Sequence, residues 1–126
     1  MRNTALCFLG AVLIVLSLSN EAPSQSERWL YLGETDDTEI YLDTETIIYN
    51  EHLNAYEIYT RIQKSDNSHQ ISLINIFCYS KTMKSLYVYD YNKSGILIYH
   101  TRVYFPIEIE IFPESNLEKV FNYLCK

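Results

Sequence analysis

Apolar side chains along most of this chain recur at alternate positions or in short runs, and polar clusters break the runs at intervals typical of β-strands. Residues 28–33 (RWLYLG) and 38–43 (TEIYLD) predict two strands around the polar stretch 34–37, which suits a hairpin loop. Residues 52–64 place Tyr56, Ile58, Thr60 and Ile62 on one face and Glu57, Tyr59 and Arg61 on the other. After a turn cluster at 65–69 (SDNSH), residues 70–79 (QISLINIFCY) are apolar on both faces and predict a central strand. Two more strands, 85–91 (SLYVYDY) and 95–105 (GILIYHTRVYF), flank the loop 92–95 (NKSG), where Asn and Gly tolerate positive φ. No strand–helix–strand alternation is present, so the expected sheet is an antiparallel meander of about six strands.

The period changes at the end of the chain. Ser115 with Glu118 three positions on is a capping-box pattern, and Pro113 discourages an earlier helical start. Leu117, Val120, Phe121, Leu124 and Cys125 then fall on one helical stripe. The fold class that results is α+β: an antiparallel sheet with one C-terminal helix packed on a face.

The beginning is different again. Arg2 is the only charge before Glu21, and residues 5–18 (ALCFLGAVLIVLSL) form an apolar run of 14 residues. A membrane-spanning helix needs about 20. The run therefore predicts a secretory signal over residues 1–19, with Ser17 and Ser19 as the small residues before a cleavage between Ser19 and Asn20. Cys7 lies near the start of the run, the wrong place for a lipidated cysteine, and leaves with the signal. Residues 20–27 (NEAPSQSE) read as a flexible leader and residues 28–126 as the domain, with no membrane span after cleavage.

Export changes how the remaining cysteines are read. Cys78 and Cys125 are the two left in the mature chain, and a pair in an oxidising compartment predicts one disulfide. Cys78 ends the most apolar strand and Cys125 lies on the helix stripe, so the bond would staple the last helical turn to a central strand. Closing a loop of that length contributes about 4 kcal/mol in the chain-entropy picture.

With 126 residues the chain allows one domain. Its 12 Tyr, 5 Phe and 1 Trp against 3 Gly and 3 Pro exclude linker-like and collagen-like classes. A net charge of −6 removes the overall basic field expected of a nucleic-acid binder. The charge is unevenly spread: residues 21–57 carry ten acids and one base, whereas residues 58–104 carry six bases and two acids. The basic half also holds the row Tyr87, Tyr89 and Tyr91, which alternation places on one strand face, with Lys84 and Lys93 beside it. Such a row suits protein recognition, since Tyr supplies contact area at low entropy loss. It suits equally well a second hydrophobic layer or the surface under the helix.

Catalytic patterns are missing. His52, His69 and His100 are scattered, no serine sits in a nucleophile elbow, and no Gly-rich phosphate loop exists. Asp36, Asp37, Glu39 and Asp43 gather near the first hairpin but lack the spacing of a calcium loop. No enzyme, cofactor or metal site is therefore expected.

The ordered landmarks carry a family resemblance. Trp29 and Gly33 on the first strand, the element Tyr41-Leu42-Asp43-Thr44-Glu45-Thr46-Ile47, Cys78 closing a central strand, the loop Asn92-Lys93-Ser94-Gly95, and Ile111-Phe112-Pro113-Glu114-Ser115 leading to a helix that ends in Cys125 together resemble the surface-adhesin protein E-like family of small exported Gram-negative bacterial proteins. The resemblance spans about residues 28–126. It implies a helix on the concave face of an antiparallel sheet, disulfide-linked to a strand. It also implies an envelope location, in the periplasm or on the outer surface, and for some relatives binding to host matrix and plasma proteins. The leading expectation is thus an exported, non-enzymatic, adhesin-like module whose partner is a host or envelope protein. A periplasmic accessory subunit or inhibitor of an envelope complex is the alternative, and an exposed strand edge would also permit a homodimer.

Overall fold

A computed structural model describes residues 28–126. The signal-peptide reading, with its Ser19–Asn20 junction, and the 20–27 leader lie outside the described residues. The strands are β1 (Trp29–Thr35), β2 (Thr38–Asp43), β3 (Ile48–Asn50), β4 (Ala55–Lys64), β5 (His69–Phe77), β6 (Thr82–Tyr91), β7 (Leu97–Arg102) and β8 (Ile109–Glu110), followed by helix α1 (Asn116–Leu124). They form one sheet of eight strands in the order β1-β2-β4-β5-β6-β7, with β3 against β4 and β8 against β6. Every pairing is antiparallel. The meander with a C-terminal helix expected from the sequence is the observed architecture.

The boundaries shift in instructive ways. β1 extends through Thr35, and the β1–β2 turn shrinks to Asp36 and Asp37, both at positive φ, as a tight two-residue hairpin demands. β4 starts at Ala55 because Asn54 takes positive φ and closes the preceding turn. β7 is shorter than residues 95–105, and β3 and β8 were not anticipated.

The core lies between one sheet face and α1. Ile40, Leu42, Ile58, Ile74 and Ile76 are at most 1% exposed, and Met83, Ile111 and Val120 join them. Cross-strand pairing puts Ile58 opposite Ile74 and Ile76 opposite Met83, so the alternation in each strand sums to one apolar layer. Leu117, Phe121 and Leu124 of α1 pack against that layer.

The helix N-terminus is capped, although not by a full capping box. Ser115 Oγ accepts from the Glu118 backbone N–H at 3.2 Å. The Ser115 N–H already donates to the Phe112 carbonyl at 3.3 Å, so the Glu118 carboxylate instead accepts from the Glu114 N–H at 2.8 Å. Its other oxygen accepts from Lys81 Nζ at 2.8 Å, tying the helix start to the β5–β6 turn. At the other end the Cys78–Cys125 disulfide holds the helix C-cap to the residue after β5. The bond is consistent with an oxidising, exported environment. Among the described residues no helix is long and apolar enough to cross a membrane.

Candidate functional site

Among the described residues no helix lies on the opposite sheet face. Because antiparallel partners share a face, the register assigns its residues strand by strand. One line across the sheet runs Tyr31, Tyr41, Arg61, Ile71, Tyr89, His100, and its neighbour runs Tyr59, Leu73, Tyr87, Arg102. Tyr91 lies opposite His69. Tyr87, Tyr89 and Tyr91 therefore share the helix-free face, and the alternative that they lie beneath α1 does not hold.

The side chains on this face order one another. Tyr87 and Tyr89 stack with ring centroids 6.1 Å apart, and Tyr89 stacks on His100 at 6.1 Å. His69 stacks on Tyr91 at 4.6 Å. The Arg102 guanidinium sits 5.8 Å from the Tyr87 ring and 5.6 Å from the Tyr104 ring. Arg61 lies 5.9 Å from the Trp29 ring and 5.7 Å from the Tyr41 ring. Cations over aromatic faces are attracted by the ring quadrupole, and partial burial strengthens the attraction. The result is an aromatic surface that half-buries Arg61, Tyr87 and Tyr89 and leaves His100, Arg102 and Tyr104 exposed along its β7 side.

Of the other lysines singled out, Lys84 pairs with Asn75 on the same face and its Nζ lies 5.5 Å from the Phe77 ring. Lys93 belongs to the β6–β7 turn rather than to the face. It borders a cleft of about 580 Å³ between two hairpin ends, lined also by Lys64, Asp66, His69, Gln70 and Asp90. Within it Gln70 Nε2 donates to Asp90 Oδ1 at 2.9 Å and Ser68 donates twice to Asp66 Oδ1, so most of its polar groups are already paired.

Burial, then the charge of Arg61, lowers the His69 pKa below its usual value, so the ring stacked on Tyr91 is neutral at pH 7. Burial raises the Tyr59 pKa, and burial with the hydrogen bond to Glu39 raises that of Tyr41. These phenols stay protonated and can donate.

Among the described residues Asp43 is the one buried carboxylate, 1% exposed. Arg28 donates to it twice, at 3.1 and 2.9 Å, and the Glu45 N–H donates at 3.0 Å. Burial would raise its pKa, but these bonds and the Arg28 charge prevail and lower it. Asp43 is thus committed to structure, and Glu39 accepts the Tyr41 hydroxyl at 2.8 Å, which separates two members of the acidic cluster from any shared cation. Among the described residues no three His, Cys, Asp or Glu side chains gather as a metal site.

Arg61, Tyr59, Trp29, Arg102 and His100 are among the residues of this face that the sequence alone does not single out for binding. Alternation in residues 52–64 does set Tyr59 and Arg61 opposite Ile58, which was the available signal. Their meeting with Trp29 and Tyr87 depends on strand order. No family model, curated protein or solved structure matches the chain.

Proposed function

We propose that the chain is an exported, non-enzymatic protein-binding module of the Gram-negative envelope, adhesin-like, which recognises a host matrix or plasma protein, or an envelope protein, through the helix-free sheet face. The observation that carries the reading is the aromatic surface with Arg61 and Arg102 set into it. Interfaces concentrate Tyr, Trp and Arg because these residues give large contact area and directional bonds with little rotamer loss. The resemblance to surface-adhesin protein E-like domains supplies the exported setting, and the disulfide agrees with it.

The test uses cells that express the whole chain. Binding to immobilised extracellular-matrix and plasma proteins is compared between the natural chain and a Tyr87→Ala, Tyr89→Ala, Lys84→Ala variant. Binding that falls at least about tenfold, in a variant that still melts cooperatively above the assay temperature, supports the face. Undiminished binding by the variant places recognition elsewhere. Protease treatment of intact cells reads location: protection until the outer membrane is opened removes host proteins as partners and leaves the periplasmic accessory role.

A further inference from the structure

Charges are paired differently on the helix-free face and elsewhere in the domain. Among the described residues the ion pairs are made by Arg28 with Asp43 and Glu45, and by Lys81 with Glu118. Arg61, Lys84 and Arg102, all on the helix-free face, take part in none of them, in a chain whose net charge is −6. Their positive charges lie near aromatic rings instead.

Two acids of the same face are already committed: Asp43 is held by Arg28, and Glu39 accepts the Tyr41 hydroxyl. Glu57 lies opposite Asn75, at the end of the face that carries Lys84. Hydrogen bonding is unbalanced in the same sense. Arg61 Nε and Asn75 Nδ2 are buried on this face without an acceptor, and an unpaired buried donor is costly. The surplus is of donors and of positive charge, which calls for acceptors that carry negative charge.

The spacing narrows the chemistry. Arg61 on β4 and Arg102 on β7 stand three strand spacings apart, about 14 Å across the sheet. Between them the register sets Ile71 and Leu73 of β5 and Tyr87 and Tyr89 of β6, a floor without charge. An extended peptide advances about 3.4 Å per residue and returns to the same side at every second one. Laid across the strands, it brings side chains i and i+4 to the two arginines and side chain i+2 to the floor.

We propose that the partner presents an extended acidic segment to this face, with carboxylates four residues apart received by Arg61 and Arg102 and an apolar side chain between them on Leu73, Tyr87 and Tyr89. A guanidinium suits this task because its planar fork gives a carboxylate two parallel N–H bonds. The inference rests on the reading of this face as the recognition surface and adds the chemistry of what it recognises. A sulfated glycan would satisfy the arginines but brings no apolar side chain for the floor, so a protein segment is the better complement. Glu57 repels a further carboxylate at the Lys84 end, which confines the acidic pair to the two arginines.

Trp29, the single tryptophan, lies 5.9 Å from the Arg61 guanidinium, so its fluorescence reads that end of the site. The full chain, purified from cells that export it, is titrated with the end-blocked peptide Ser-Glu-Ser-Leu-Ser-Glu-Ser. The same peptide with both Glu replaced by Gln, and a dextran sulfate oligosaccharide, are titrated in parallel. The Gln peptide should bind at least about tenfold more weakly than the Glu peptide. Arg102→Gln, at an exposed side chain, should weaken the Glu peptide about tenfold and leave the Gln peptide unchanged, the signature of a direct pair. Equal binding of the two peptides overturns the proposal, as does a Glu peptide indifferent to Arg102→Gln or without effect up to about 5 mM. Tighter binding of the oligosaccharide than of the Glu peptide overturns it in favour of a glycan. The reading of the face survives any of these failures if cells bearing the Tyr87→Ala, Tyr89→Ala, Lys84→Ala variant lose their partner while cells bearing Arg102→Gln keep it.

Discussion

The two faces of one sheet solve different problems with the same strands. The face under α1 is built from Ile and Leu that are almost wholly buried, and α1 with the Cys78–Cys125 bond closes it. The opposite face is built from Tyr, Arg and His in ring contact with one another, half-buried at Arg61, Tyr87 and Tyr89 and exposed at His100 and Arg102. A short chain can finish only one layer, because helix and sheet must each bury an apolar side. The second face then needs side chains stable at a water boundary, and an aromatic ring with a polar tip meets that need. Stability should therefore reside on one face and recognition on the other.

The largest expected break in this division is loss of the staple. Replacing Cys78 and Cys125 together by Ser should lower unfolding stability by about 4 kcal/mol, since the unfolded chain regains the entropy of a closed loop. Chemical denaturation reads the loss, and a change below about 1 kcal/mol would mean that α1 holds its face without the bond.

A paired substitution sharpens the contrast. Ile58→Ala removes a fully buried side chain beneath α1 and should cost about 3 kcal/mol, cavity included. Tyr87→Ala takes away a half-buried ring and should cost about 1 kcal/mol. Equal losses would show the aromatic face to be a second core, and the case for reserving it for binding would fall.

Strand positions, the helix start and the partition of Tyr87, Tyr89 and Tyr91 from Leu86 and Val88 were legible because alternation is a local property. The strand-to-strand meetings were not. Arg61 reaches Trp29 only because β2 lies between β1 and β4, an adjacency written in no single segment. The register shifts at Gly33, between Leu73 and Ile74, and beyond Asp90 each insert a residue that no period announces. β3 and β8 are three and two residues long, too short to show any period at all. Glu118 was correctly tied to the helix start, but its acceptor role moved to Glu114 once the Phe112 carbonyl had taken the Ser115 N–H.

The subtlest break runs through Asp43, which faces the aromatic side yet serves stability. Its folded pKa is lowered, while in the unfolded chain it takes an ordinary value of about 4. The folded state thus binds its proton less readily than the unfolded state does. The contribution is fully present above the unfolded pKa, declines as pH falls through the window between the two values, and is gone below the folded one. Asp43→Ala removes three hydrogen bonds to a buried carboxylate and should cost about 2 kcal/mol at neutral pH. The natural chain should lose that margin on acidification below about pH 4, whereas the variant's urea midpoint should fall less steeply over the same range. Parallel pH profiles would show that Arg28 stabilises the β1–β2 pair by packing against Trp29 at 6.0 Å rather than through the carboxylate.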